Sequence, residues 1–326
     1  MPKRILSGEL KVLRIRDIRG VGDSTAKKLR DAGYSSVEAL AVTPLKELME
    51  RTGLKYKTAK KVIDGARELL GLEFVSAKEL WEMQKGRLRL TTGSKALDRL
   101  IGGGIETQAI TELSGQYGTG KTQICHTLCV TAQLPKEEGG LEGSALYFDT
   151  EGTFSPERIY QIAENRGLNP ENALNNIIVS RVYTSDHQIF LLENAFEICA
   201  ENNIKLIIVD SVISHFRGEY VGRDLLAERQ QKLNQYMHKL LRLAEILNLA
   251  VVVTNQALAN PIAYYGAPEN PAGGNILAHA SNTRLWLRRA KGSTRVARLI
   301  DSPYLPEGEC IFKISEKGIE DVAIQD

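Results

Sequence analysis

Gly115-Gln116-Tyr117-Gly118-Thr119-Gly120-Lys121-Thr122 fits the spacing G-x-x-x-x-G-K-[ST] between an apolar segment and a helix-like one. Glycines at these positions let the backbone curl so that successive N–H groups face an anion, and the start of the following helix adds a favourable dipole. In such a P-loop Lys121 reaches the β- and γ-phosphates as a point charge, and the Thr122 hydroxyl ligates Mg²⁺. The expected ligands are therefore ATP and Mg²⁺.

Acidic strand ends downstream supply the rest of such a site. Leu206-Ile207-Ile208-Val209-Asp210 is a continuous apolar strand closing on a carboxylate, and Asp210 is expected to hold the Mg²⁺ shell through water. A second strand, Ala145 to Phe148, runs into Asp149-Thr150-Glu151-Gly152. In an open α/β sheet both ends face the ligand crevice, which places Glu151 either as the general base for an attacking water or as an ordinary loop carboxylate. Val253-Thr254-Asn255-Gln256 brings Gln256 to the same edge, in position to sense the γ-phosphate.

The elements that must carry these residues alternate. Candidate strands are 109–113, 145–148, 177–180, 206–209 and 250–254, and candidate helices are 122–133, 156–166, 187–202 and 225–247. This order predicts an α/β core with a mainly parallel central sheet. Three closely spaced strands, 284–287, 295–299 and 310–314, follow without intervening helices, so the sheet is expected to finish antiparallel.

The chain has 326 residues, long for one core, and reads as one large domain plus a small one. Hydrophobic content of 43% with 25% charged residues suits a soluble globular protein, and no apolar run approaches the roughly 20 residues that span a bilayer. The first residues lack the apolar core of a secretory signal, which with four cysteines points to a cytoplasmic, nucleoid-associated protein without membrane partners. Cys125 and Cys129 read as small buried residues. The five histidines have no metal-ligand spacing, so no structural zinc is expected.

A net charge of +2 conceals an asymmetry: residues 1–70 hold 16 Lys and Arg against 9 Asp and Glu, whereas the remainder is acidic. Basic charge on one module is the footprint of nucleic acid or simply a solvated cationic face. Within it, Gly20-Val21-Gly22 leads into an apolar helical pattern at positions 26, 29 and 32, and further helices are expected at 36–40, 44–51 and 56–70. Residues 1–68 thus predict a small all-helical domain. Its glycine turn is similar to a helix-hairpin-helix, where Gly20 and Gly22 would let hairpin N–H groups bind a DNA phosphate, or is a tight helical hairpin that serves packing alone.

Between Gly71 and Gln84 the helical pattern is expected to stop, giving a linker (69–84) with a β-prone stretch around Phe74 before a core at 85–326. Spacing alone leaves open whether Phe74 packs on its own domain or enters another subunit by strand addition. Two segments suit an extended anion. Arg217, Arg223 and Arg229 surround a glycine-containing loop with Tyr220, and residues 257–280 combine Pro261, Tyr264, Tyr265 and Gly273-Gly274-Asn275 without periodicity. Arginine with interleaved aromatics suits single-stranded DNA, since charge tracks phosphates and rings meet bases.

Together these residues resemble the RecA-like strand-exchange recombinases over nearly the whole chain. The specific parts are Leu90 to Ser94 with Gly102 to Glu106, the P-loop with Gln123-Ile124-Cys125-His126, Tyr147 to Arg158, Thr254-Asn255-Gln256, Gly273 to Ser281, and Asp301 to Gly308. The resemblance implies a RecA-like P-loop ATPase core that, with ATP, forms a homo-oligomeric filament or ring on single-stranded DNA, pairs it with homologous double-stranded DNA and exchanges strands. Recombination mediator proteins are further implied partners.

It also implies residue roles. Phe74 and Ala77 are similar to a linker motif whose aromatic enters the neighbouring subunit. Gln123 belongs to the nucleotide motif and Arg158 resembles an arginine that packs on the adenine. His279, Asp301 and Pro306 resemble parts that meet ATP bound in the adjacent subunit. Arg217, Arg223 and Arg229 resemble a first DNA loop, and Gly273, Gly274 and Asn275 close a second. Gln116-Tyr117 depart from the acidic residue and Phe of many relatives, at positions that offer mainly backbone N–H groups.

Two other readings share these motifs. A regulatory paralogue would bind ATP and DNA without exchanging strands; such chains commonly lack the basic bundle or the linker Phe, and both are present here. A ring-shaped DNA motor of related fold would separate strands instead.

Overall fold

The computed structural model describes residues 13–34, 36–70, 72, 74–258, 270–272 and 274–322. The chain divides after Gly86 into two units.

The first unit is helical. A 3₁₀ turn at Ile15–Asp17 precedes α1 (Asp23–Asp31), α2 (Val37–Val42), α3 (Leu45–Thr52) and α4 (Tyr56–Leu70). Ala59, Val62, Ile63, Ala66 and Leu70 recur at helical spacing along α4 and are buried with Ala26, Leu29, Leu40 and Leu48 from the other helices. Gly20 makes the turn before α1 with φ +88°, a left-handed value that a side chain disfavours.

One expectation fails here. Residues 77–84 are not irregular but form α5 (Ala77–Gln84). Its start is a capping box: Ser76 Oγ accepts from the Glu79 N–H at 3.2 Å while Ser76 N–H donates to Glu79 Oε2 at 2.9 Å. The signal Ser-x-x-Glu was in the sequence, but α5 lacks the buried stripe that periodicity detects; none of its residues is buried.

The second unit is built on β1 (Arg89–Leu90), α6 (Lys95–Leu100), β2 (Ile105–Glu106), β3 (Ala109–Gly115), α7 (Lys121–Thr131), β4 (Ser144–Asp149), α8 (Pro156–Asn165), α9 (Pro170–Asn175) and β5 (Ile177–Arg181). It continues through α10 (Ser185–Glu201), β6 (Ile204–Asp210), α11 (Ser214–Glu219), α12 (Leu226–Leu247), β7 (Ala250–Leu258), β8 (Asn270–Pro271), α13 (Gly274–Ala280), β9 (Thr283–Arg289), β10 (Thr294–Asp301), β11 (Gly308–Ser315) and β12 (Gly318–Asp321). Among the described residues the main sheet runs β12-β11-β10-β9-β3-β7-β6-β4-β5, with β8 paired to β7. From β9 to β5 every pairing is parallel, and β10, β11 and β12 add antiparallel. The mainly parallel core with an antiparallel end is thus as expected; β12 and the short strands β1, β2 and β8 were not foreseen.

Strand alternation sorts side chains onto two layers. Leu206 and Ile208 of β6 join the core beneath α7 and α8, whereas Ile207 and Val209 join the core beneath α10 and α12. The same alternation along β7 sends Val252 to the first layer and Val251 and Val253 to the second. Thr254 and Gln256 therefore emerge on the α7 side, and Asn255 on the opposite side. No described helix is long and apolar enough to cross a membrane.

Candidate functional site

The site is assembled at the carboxyl ends of β3, β4, β6 and β7. The Gly115–Lys121 loop joins β3 to α7, with Gly118 at φ +72° and Gly120 at φ +101° supplying the left-handed turns that curl it. Gly115, Gln116, Tyr117, Gly118, Gly120, Lys121, Thr122 and Gln123 line a cavity of about 790 Å³, and Glu151, Asp210 and Gln256 complete the part foreseen from the sequence. Thr119 lies beneath the loop rather than in the cavity, where its hydroxyl donates to Gln116 O at 2.8 Å and braces the turn. Tyr117 is almost wholly exposed at the rim.

Lys121 Nζ donates to the carbonyls of Gly115 and Gln116 at 2.8 and 2.9 Å. Burial pulls its ammonium below the ordinary value, against the Asp210 and Glu151 carboxylates, which hold it up. A half-buried cation with carboxylate neighbours is poised to exchange these carbonyls for phosphate oxygens.

Asp210 is buried at the end of β6. Its Oδ2 accepts from Thr122 Oγ1 and from the Tyr147 hydroxyl, both at 2.8 Å, and its Oδ1 accepts from Thr254 Oγ1. Burial beside this carboxylate pushes the Tyr147 hydroxyl well above its ordinary pKa, so it remains a donor. Thr122 and Asp210 thus form an oxygen pair at the cavity floor. No group of three or more His, Cys, Asp or Glu suited to a metal occurs among the described residues. A pair of oxygens without a cage suits Mg²⁺, which keeps water and takes further ligands from phosphate.

Asp149 shapes the loop that carries Glu151. Its Oδ1 accepts from the N–H groups of Gly152 and Thr153 at 2.7 and 3.1 Å, and Arg181 Nη1 lies 3.8 Å away. Glu151 Oε1 accepts from Gln256 Nε2 at 2.8 Å, and Gln256 Oε1 accepts from Arg217 Nη1 at 3.4 Å. One amide therefore joins the carboxylate after β4 to the arginine on α11. His126, behind this wall, is buried with Phe154 packed edge-on at 5.4 Å, and burial lowers its pKa to about 4.

Other expected residues lie elsewhere in this chain. Arg158 is partly buried and donates from Nε to Gln123 Oε1 at 2.8 Å, with the Ser315 carbonyl accepting from Nη2. It does not line the cavity, and neither do His279, Asp301 or Pro306, all three of which are exposed. Arg223 is exposed and Arg229 partly buried. Gly274 opens α13; Gly273 and the side chain of Asn275 lie outside the described residues. Gly20, Gly22, Phe74 and Ala77 belong to the first unit; a Cβ at Gly20 or Gly22 would meet no atom within 4 Å, so that turn is open. Sequence reasoning missed Thr153, Ala257, Arg295 and Ile314 in the cavity wall. Arg295 and Ile314 come from the antiparallel strands β10 and β11, outside the Asp301 to Gly308 stretch that carries the resemblance there.

A P-loop between a parallel strand and α7, with an aspartate ending β6, one strand removed from β3 across β7, defines a P-loop nucleotide-binding protein of the RecA-like class. Within that class the chain belongs to the Rad51 family, whose model matches residues 83–322. Residues 12–68 match a SAM-like helix-hairpin-helix tandem. The chain is 50% identical over 307 residues to the DNA repair and recombination protein RadA of Aeropyrum pernix, a match covering 94% of this chain and 96% of that protein.

Proposed function

We propose that this chain is a DNA-dependent ATPase of recombination and repair that assembles on single-stranded DNA and exchanges strands with a homologous duplex. The observation that carries this reading is the hydrogen-bonded path Arg217–Gln256–Glu151 on the wall of the P-loop cavity. It ties an arginine of the first DNA segment to the carboxylate placed to activate water.

In this reading the loop N–H groups and Lys121 bind the β- and γ-phosphates. Thr122 would hold Mg²⁺ directly and Asp210 through water, and the ion would neutralise phosphate charge. Glu151 accepts the proton of the attacking water, with Gln256 fixing its carboxylate through Oε1. Arg158 frames the base beside Gln123.

His279, Asp301 and Pro306 meet the nucleotide of the adjacent subunit, which makes ATP part of the subunit interface. Phe74 and Ala77, exposed in the single chain, anchor each subunit to the next; an aromatic ring left wholly in water is otherwise unfavourable. The division of labour is a DNA-binding bundle at 1–68, a polymerisation linker at 69–84 and an ATPase core at 85–326. Arg217, Arg223 and Arg229, with Gly273, Gly274 and Asn275, contact single-stranded DNA, while Gly20 and Gly22 present the bundle's hairpin to duplex phosphate. Such a protein acts in the cytoplasm on the nucleoid, where mediators would load it.

The test is ATP hydrolysis with and without a single-stranded oligonucleotide. Stimulation by DNA is expected; hydrolysis indifferent to DNA would overturn the reading.

A further inference from the structure

Opposite the nucleotide side of the sheet lies a polar cluster that the cavity does not include. Glu112, in the middle of β3, has no exposed surface. Its Oε1 accepts from Ser114 Oγ at 2.6 Å and from Asn255 Nδ2 at 2.7 Å, while Oε2 accepts from Arg284 Nε of β9 at 2.6 Å. Burying a carboxylate is costly unless it is paired and hydrogen-bonded, and here Ser114, Asn255 and Arg284 supply the partners.

What it holds is the end of β7. Asn255 sits between Thr254, which donates to Asp210, and Gln256, which donates to Glu151. The second hydrogen of Asn255 Nδ2 goes to Ala272 O at 2.7 Å, and Ala272 N–H returns a bond to Gln256 O at 2.8 Å. Both acceptors fix the orientation of the amide, since reversal would set its oxygen against two other oxygens. Pro271 pairs with Ala257 across the same ladder. A single side chain thus ties the buried carboxylate, the catalytic edge of β7 and the 270–272 segment.

Resting on the functional reading above, we infer that Glu112 and Asn255 are positioning residues that couple DNA to ATP hydrolysis. Glu112 anchors Asn255, and Asn255 holds Gln256 in register with 270–272. A displacement of that segment by DNA then reaches Glu151 through Gln256. Neither residue touches the nucleotide cavity.

The test is steady-state ATP hydrolysis by the full chain over a range of ATP concentrations, with and without an oligothymidylate, together with thermal melting. Wild type is compared with Glu112→Gln, Asn255→Ala and Ser114→Ala; the last removes one hydrogen bond to Glu112 and none of the bonds that Asn255 makes. Coupling predicts that the DNA-stimulated kcat of Glu112→Gln and Asn255→Ala falls about tenfold at a KM for ATP within about twofold. Ser114→Ala keeps its stimulation. If Glu112→Gln does not fold, Asn255→Ala decides, because it leaves the Glu112–Arg284 pair intact. Stimulation retained in Asn255→Ala, whatever its melting temperature, overturns the inference and leaves the function standing. A wild type that DNA does not stimulate overturns both.

Discussion

Gln256 Nε2 donates to Glu151 Oε1 at 2.8 Å, joining the end of β7 to the loop after β4. If Glu151 is the general base, Glu151→Gln lowers ATP hydrolysis by about 10²–10⁴-fold. Binding of a fluorescent ATP analogue is expected to stay within a few fold, because in the proposed site the phosphates rest on the P-loop and not on Glu151. Near-normal turnover in this variant would remove Glu151 from the reaction.

Lys121 rests on the Gly115 and Gln116 carbonyls, and in the proposed site it would exchange them for phosphate oxygens of ATP. Lys121→Ala deletes charge-assisted bonds of about 1.5–3 kcal/mol each, so nucleotide affinity falls at least tenfold and turnover is lost. Titration with the fluorescent analogue checks this; undiminished binding and hydrolysis would sink the site assignment.

Much of this site was legible in the sequence because its parts sit at strand ends and within a fixed spacing. The P-loop, Asp210, Glu151 and Gln256 each follow a run of apolar residues that must be a buried strand, and alternation then fixes their side. Arg295 and Ile314 were not legible: strands around both were expected, but they reach the cavity only because β9 pairs with β3, a long-range pairing that no local pattern announces. Helix α5 was missed for the opposite reason, since its capping box is local but its faces are exposed. The Asp149 turn that presents Glu151 was also unforeseen, because a carboxylate bonding its own loop looks the same in sequence as one facing a ligand.

His126 gives the core an acid sensitivity. Its folded pKa of about 4 lies below the ordinary 6.5, so between these values the unfolded chain binds the extra proton. Its contribution is present in full above about pH 6.5, declines as pH falls toward about 4 and is then level, for a total on the order of 3 kcal/mol. Denaturant unfolding of wild type and His126→Leu at about pH 7.5 and about pH 5 isolates this contribution, and the variant loses about 2 kcal/mol less on acidification. Equal losses in both proteins would mean that His126 is not the group responsible.

Phe74 is fully exposed in the single chain. As an anchor it would bury in a neighbour, where Phe74→Glu sets a charge in an apolar pocket at a cost of several kcal/mol. Light scattering is expected to show monomers for the variant and assemblies for the wild type. Unchanged assembly would dismiss the anchor role.

Residues 1–68 carry the excess of basic charge. Their removal is expected to weaken duplex binding and to flatten its dependence on salt by about 0.9 in the log–log slope for each phosphate that the bundle neutralises. ATP hydrolysis falls less than duplex affinity does. An unchanged slope, measured by fluorescence anisotropy over a salt series, would show that the bundle does not touch DNA.

Strand exchange is the activity that sets a recombinase apart from a paralogue or a motor, and a fluorescent oligonucleotide duplex reads it out. With ATP and Mg²⁺, the protein assembled on single-stranded DNA is expected to displace the labelled strand of a homologous duplex and to leave a heterologous duplex intact. No displacement while ATP and single-stranded DNA remain bound, or displacement from both duplexes alike, would mean that the protein is not a strand-exchange recombinase.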